Sequence, residues 1–314
     1  MLKERSLIFA PMEGITDAYY RKIAMEQFPG WDYFFTPFFR IQTVGKTKPN
    51  QIIDHIGKEI YKNNLLMKKT IFQLIATKKS QTEYCVSMIN DLNIENIDLN
   101  IGCPSKQVNS HGGGAILIDD LQALCEILRI IRKNYKGIFS VKTRIGYRNN
   151  DNFNNLLNII SNEGVDFVTI HGRVAKQMFS GNADWSFVKQ ASDLLKIPVV
   201  GNGDVETIND IDDKFQAHNC HSIMIGRGAL KRPWLADTYK SENKNFNENV
   251  MIVNFLFSLV EILNRGDMED AHILQRCKAI SYYLFDHDQI FKKNILRSMT
   301  IKEFFSKIDI CFEV

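Results

Sequence analysis

Eight short β-branched or aromatic runs recur along the first three quarters of this 314-residue chain, each followed by a loop and then a stretch with helical spacing. They are Leu7–Ala10, Tyr33–Thr36, Thr70–Leu74, Ile97–Asn100, Phe139–Thr143, Phe167–Ile170, Val199–Gly201 and Ser222–Ile225. Strand and helix alternating this often predict an α/β chain closed into a TIM (β/α)8 barrel. A doubly wound open sheet alternates in the same way, but it usually carries its glycine fingerprint after the first strand, where this chain has Pro11 and Glu13.

The residues at the ends of these runs strengthen the barrel reading, because barrel enzymes collect their active sites at the C-terminal ends of the strands. The first run ends in Pro11-Met12-Glu13-Gly14, and the third contains Gln73 near its end. The fourth delivers Asn100 and Cys103, the fifth Lys142 and Arg144, and the sixth His171-Gly172-Arg173. Arg40 lies just beyond the second. Asn202-Gly203-Asp204 and Gly226-Arg227-Gly228 close the seventh and eighth, where a barrel holds phosphate on backbone N–H groups and a helix N-terminus. Each glycine cluster alone is only a turn signal; their place at consecutive strand ends predicts a bound phosphate group.

The stretch Asp98–Lys106, followed by His111-Gly112-Gly113-Gly114-Ala115, puts one thiol at a strand end. The apolar run stops at Gly102 and Pro104, so the chain turns sharply and carries Cys103 into a loop. A lone cysteine is more often a small buried hydrophobe; the surrounding strand ends favour chemistry. The triple glycine fits a loop that moves or one that is closely packed.

Gln81–Leu92 and Leu121–Arg132 have the apolar spacing of outer barrel helices, and Arg148–Asn155 reads as a polar loop and helix start. Near Ser241–Asn249 the composition turns to Asn, Glu and Lys, which predicts a boundary between a catalytic domain of residues 1–240 and a helical domain of residues 241–314. In the latter, Met251–Leu263, Ala271–Phe285, Gln289–Arg297 and Ile301–Ile308 read as a small helical bundle. It gathers Arg276, Lys278, Lys292, Lys293, Arg297, Lys302 and Lys307 among Tyr282, Tyr283 and Phe291, the pattern of a face that grips phosphates without reading bases.

Charge is permissive: 39 basic against 36 acidic residues leave +3. The six cysteines show no C-x-x-C pair and no Cys/His cluster at metal-ligand spacing, so reduced thiols, no metal and a cytoplasmic location are expected. No apolar stretch is long enough for a membrane span, and the N-terminus lacks a secretory pattern.

The ordered motifs APMEGITD (Ala10–Asp17), NIGCPSKQV (Asn100–Val108), VKTRIGY (Val141–Tyr147), IHGR (Ile170–Arg173), GNGDV (Gly201–Val205) and MIGRGAL (Met224–Leu230) resemble the tRNA-dihydrouridine synthase family. The resemblance implies a barrel holding FMN, reduced by NADPH or NADH, with the helical domain as the second wall of a tRNA groove. It implies that Pro11, Met12 and Glu13 line the flavin, that Gln73 and Lys142 address its ring, and that His171 touches it. The phosphate would rest on Asn202, Gly203, Asp204, Gly226 and Arg227. Cys103 would be the acid that protonates uracil C5 while the flavin reduces C6, because an unperturbed thiol of pKa about 8.5 stays protonated at neutral pH. Asn100 would bind the base edge, Arg173 the same pocket or a nearby phosphate, and Arg40, Lys278, Lys292, Lys293 and Arg297 the tRNA. The loop Ser105–Gly114 would fold over the flipped uridine.

Met12-Glu13-Gly14 and His111–Ala115 resemble the bacterial C-type subgroup, which acts on uridine 16; Thr16-Asp17 is similar to the B-type, and Pro37 stands where many relatives carry Glu. A monomer is expected. The rival readings are another FMN barrel such as a dihydroorotate dehydrogenase, against which the helical tail argues, and a tRNA-binding protein without catalysis.

Overall fold

A computed structural model describes residues 2–241, 247–266 and 268–312. Its strands are β1 (Leu7–Phe9), β2 (Tyr33–Phe35), β3 (Phe39–Arg40), β4 (Thr70–Ile75), β5 (Asn96–Ile101), β6 (Ile138–Arg144), β7 (Phe167–His171), β8 (Val199–Asn202) and β9 (Ser222–Ile225). All pairings are parallel. β1 pairs with both β2 and β9, and β2 pairs with β4, so eight strands close into the expected barrel.

The ninth strand, β3, was not legible in the sequence. Pro37 has no N–H to give a ladder, so β2 stops, and the chain resumes pairing two residues later, Phe39 against Leu74 and Arg40 against Ile75. Between β3 and β4 the crossover is made of three short helices, Pro49–Ile56, Lys58–Lys62 and Asn64–Lys68, which the periodicity did not reveal. Gly57 separates the first two at φ +105°.

The barrel interior explains where the polar residues come from. Ile8, Ala10, Phe35, Ile71, Phe167, Val200 and Met224 belong to one buried cluster on alternate strand positions. The same alternation then turns polar toward the C-terminal ends: Ile71 is followed by Gln73, Phe167 by Thr169 and His171, and Val200 by Asn202. A second, larger core lies between the strands and the surrounding helices.

That larger core continues into the helices Glu248–Arg265, Asp270–Leu284, Gln289–Leu296 and Ile301–Phe312. Phe255 packs its ring on Tyr20 and Phe28, with centroids 5.1 and 5.6 Å apart, and Gln27 donates to Ser258 at 2.7 Å. The C-terminal helices therefore share their apolar interior with the barrel. Of the expected boundary Ser241–Asn249, residues 242–246 lie outside the described residues. No described helix is long and apolar enough to cross a membrane.

Candidate active site

Parallel register brings the polar ends of the strands into one cavity of about 370 Å³, within the range of small-molecule sites. Cys103 and Asn100 line it, as do Pro11, Met12, Glu13, Gln73, Lys142, His171, Asn202, Gly203, Asp204, Gly226 and Arg227. Phe38, Arg144, Phe179 and Tyr283 also line it and were absent from the expected set. Arg144 was visible at a strand end. Phe38, Phe179 and Tyr283 come from loops and a distant helix, for which local sequence offers no signal.

Cys103 is half-buried on the first turn after β5. Its carbonyl accepts from Ala115 N–H and Asn109 Nδ2, both at 3.1 Å, so the loop returns and ties down the thiol's backbone. Gly114 has φ +68°, and a Cβ there would stand 2.8 Å from Val108 Cγ1 and 3.0 Å from the Cys103 carbonyl oxygen. Close packing accounts for that glycine, whereas Gly112 has open space around it. Burial, aided by the Glu13 carboxylate, raises the Cys103 pKa, against the opposing Ser105 N–H, Arg144 and Lys142. The thiol is thus protonated at neutral pH.

Beneath the cavity runs a chain of hydrogen bonds. Asn100 Nδ2 donates to Gln73 Oε1 at 2.8 Å, Gln73 Nε2 donates to Asp98 Oδ2 at 2.8 Å, and Ser140 Oγ donates to Asp98 Oδ1 at 2.6 Å. Asn100 Oδ1 accepts from Gly102 N–H at 2.9 Å. Asp98 is fully buried, which pushes its pKa up to about 6 although Ser140, Gln73 and Lys142 oppose the rise. Above it, Lys142 Nζ donates to Asn202 Oδ1 at 3.2 Å. Desolvation and Arg144 pull the Lys142 pKa down to about 8, with Asp98 and Cys103 acting the other way.

Positive charge dominates the rim. Burial, then Lys142, Arg144, Arg173 and Arg227, hold His171 well below the ordinary histidine range, so its ring is neutral. Its Nδ1 is buried without a partner among the described residues. Asp204, at φ +51°, accepts from Arg173 at 2.6 Å, Arg227 at 3.0 Å and the Ala183 N–H at 2.7 Å. Burial opposes its ionisation, but these partners outweigh it and keep its pKa below the ordinary carboxylate value. Two guanidiniums on one carboxylate leave net positive charge beside the Gly203 and Gly226 turns.

Gly203 sits at φ +123°, and a Cβ would come within 2.6 Å of the Ala183 Cβ. Only a residue without a side chain lets the chain pass there. The helix after β9, Arg227–Lys231, is five residues long, so its dipole is weak and backbone N–H groups with Arg227 must carry the anion site.

Three expected contacts, those of Arg173, Lys292 and Arg276, fall elsewhere. Arg173 is 2% exposed and does not line the cavity; it is spent on Asp204 and on the carbonyls of Ser180 and Gly181, so it supports the phosphate loop from behind. Lys292 is buried against Asp286 at 2.9 Å with its ammonium over the Tyr282 ring, which withdraws it from an RNA face. Arg40 is exposed at the end of β3, outside the cavity wall. Lys293 and Arg297 are exposed and Lys278 half-exposed on the C-terminal helices, free of the cavity. Arg276, read as part of that basic face, instead donates to the carbonyls of Gly14 at 2.7 Å and Ile15 at 3.0 Å and pairs with Asp17 at 2.6 Å. No group of three or more His, Cys, Asp or Glu among the described residues could hold a metal ion.

The sequence profile of the dihydrouridine synthase (Dus) family matches residues 8–301. A probable tRNA-dihydrouridine synthase of Rickettsia conorii is 29% identical over 235 residues, covering 73% of this chain and 68% of the relative. A tRNA-dihydrouridine(16) synthase of Shigella flexneri is 26% identical over 292 residues, 90% of each chain. Among solved structures, histamine dehydrogenase from Rhizobium sp. 4-9 superposes with a TM-score of 0.58 at 13% identity, covering 80% of this chain and 48% of that one, a likeness of fold.

Proposed function

The chain belongs to the dihydrouridine synthase family, whose members are flavin-dependent oxidoreductases using NAD(P)H, and on that footing we propose that Cys103 is the proton donor that completes reduction of a tRNA uridine across C5=C6. The observation that carries the reading is a protonated thiol on the wall of a cavity whose other walls suit a flavin. The buried, unpartnered His171 Nδ1, the Lys142 ammonium and the cationic loops at Gly203 and Gly226 match a polar ring joined to a phosphate.

Gln73, Lys142 and His171 would hold the ring of FMN, and the backbone of Asn202–Asp204 and Gly226–Arg227, with the Arg227 guanidinium, its phosphate. When bound and reduced by NAD(P)H, the flavin supplies two electrons and one hydrogen, delivered to uracil C6. Cys103 Sγ gives its proton to C5, a role for which a carboxyl at its ordinary pKa would already be ionised at neutral pH. The thiolate left behind lies in the field of Arg144 and Lys142, which favours it. Asn100 keeps one amide N–H for the base edge after donating to Gln73.

The uridine must leave its stack to reach the thiol. Uridine 16 in the D-loop is the target this reading assigns, supported by a tRNA-dihydrouridine(16) synthase whose match covers 90% of the chain. Exposed Lys293 and Arg297, with Lys278, would contact the tRNA backbone in a helical domain of residues 241–314. Cys103→Ala tests the assignment: the protein should keep its yellow colour and its NADPH oxidation while forming no dihydrouridine in transcript tRNA. Unchanged turnover removes Cys103 from the acid role, and turnover of free orotate in place of tRNA would favour a dihydroorotate dehydrogenase.

A further inference from the structure

We propose that Asp98, which takes no part in the proton or hydride transfer, is a positioning residue: from beneath the cavity floor it sets the direction of the Gln73 and Asn100 amides and supplies the counter-charge that keeps Lys142 an ammonium. The inference rests on the cavity being the flavin site.

The amide direction comes from donor counting. An ionised carboxylate only accepts, so Gln73 must turn its NH2 to Asp98 Oδ2, 2.8 Å away. Its carbonyl then faces Asn100, whose NH2 must donate to it at 2.8 Å, and the Asn100 carbonyl is left to accept the Gly102 N–H at 2.9 Å. Each amide nitrogen has a second N–H, so the cavity is offered donors from both residues. Reversing Gln73 would set a carbonyl oxygen against a buried carboxylate, and both amides would then present acceptors. Asp98 therefore decides which edge of a ring the floor can bind.

The counter-charge comes from register. Asp98 lies opposite Ser140 and Asn100 opposite Lys142 on the neighbouring strand, so the carboxylate and the ammonium occupy successive inward layers of the barrel. Other charged or titratable groups around the cavity are Cys103 on the β5 loop, Arg144 on β6, His171 at the end of β7, Arg173 beyond it, Asp204 after β8, Arg227 after β9 and Glu13 after β1. His171 is neutral, and burial together with the Arg144 guanidinium opposes protonation of Lys142. Asp98 is the anion among them that is fully enclosed, and above about pH 6 it is ionised.

The test is FMN binding to apoprotein, followed by quenching of flavin fluorescence from pH 6 to 9. Wild type should hold its affinity until Lys142 deprotonates near pH 8. In Asp98→Asn, which keeps the shape and can still accept from Gln73, the fall should come about one pH unit lower, which is roughly fivefold weaker binding at pH 8 and approaches about tenfold at pH 9. Asp98→Leu, which cannot accept from Gln73, should weaken binding at every pH. An Asp98→Asn profile superimposable on wild type overturns the inference; a wild type that binds no FMN at any pH overturns the flavin reading itself. Should the Asp98 variants not fold, the coupling is read from its other end, because it is reciprocal. Lys142→Gln should move the carboxyl stretch of Asp98, followed by infrared titration, to a pKa above about 6, and a titration left in place overturns the inference equally.

Discussion

Arg276→Met offers a sharp test of how the two parts of the molecule are joined, because it keeps the unbranched apolar stem and removes the guanidinium. In the folded protein that group makes two charge-assisted hydrogen bonds to the carbonyls of Gly14 and Ile15 and a 2.6 Å ion pair with Asp17. Hydrogen bonds from a charged donor contribute about 1.5 kcal/mol each or more, and a half-exposed ion pair at most about 1 kcal/mol. Asp17 is 40% exposed and Gly14 lies at the surface, so water recovers part of the loss. The net destabilisation is then about 2 kcal/mol, some thirtyfold in the folding equilibrium. The segment that loosens, residues 11–17, carries the Pro11, Met12 and Glu13 wall of the cavity. Urea denaturation monitored by circular dichroism should show the lowered stability, and FMN should dissociate faster. If Arg276 were instead an RNA contact, the variant would fold as stably as wild type, within about 0.5 kcal/mol, and lose tRNA affinity with a salt slope reduced by about one. That result would refute the clamp.

Gly114→Ala should destabilise the fold by about 1–3 kcal/mol, since the new methyl meets Val108 and the Cys103 carbonyl at a left-handed φ; a thermal melt within a degree of wild type would contradict this. Arg227→Ala leaves Asp204 with one guanidinium, that of Arg173, and removes a cation from the phosphate loop, so FMN affinity should fall, as equilibrium dialysis would report. With FMN held saturating, so that titration of Lys142 does not limit occupancy, dihydrouridine formation should stay level through neutral pH and decline only above the ordinary thiol range of about 8.5, because burial has raised the Cys103 pKa; a decline beginning below pH 7 would exclude the thiol as donor. His171 is held below its unfolded pKa of about 6.5, so the unfolded chain binds the extra proton first and stability should drop as pH falls through that value. His171→Gln should flatten that slope in denaturation measured from pH 7 to 5.

The barrel was legible because each strand announces itself locally. β-branched and aromatic runs, with helices between them, leave few ways to bury both faces, and the polar residue at each C-terminal end marks the side where the interior opens. For the same reason Cys103, Gln73, Lys142, His171 and the two glycine turns could be named from residue type and position. β3 escaped because two residues beyond a proline carry no periodicity, and its pairing depends on Leu74 and Ile75, which are remote in the chain.

Which charges face ligand and which face each other was decided only in three dimensions. Arg173, Arg276 and Lys292 look alike in sequence with Lys293 and Arg297, yet the first three are buried or half-buried against Asp204, Asp17 and Asp286 while the last two stay exposed. A cation's role depends on whether an anion from elsewhere in the chain reaches it, and sequence spacing carries no information about that distance. Asp98 shows the same division: its place on a strand fixes that it points inward, while only the pairing of β5 with β4 and β6 sets Gln73 and Ser140 against it and turns a buried carboxylate into the floor of the site.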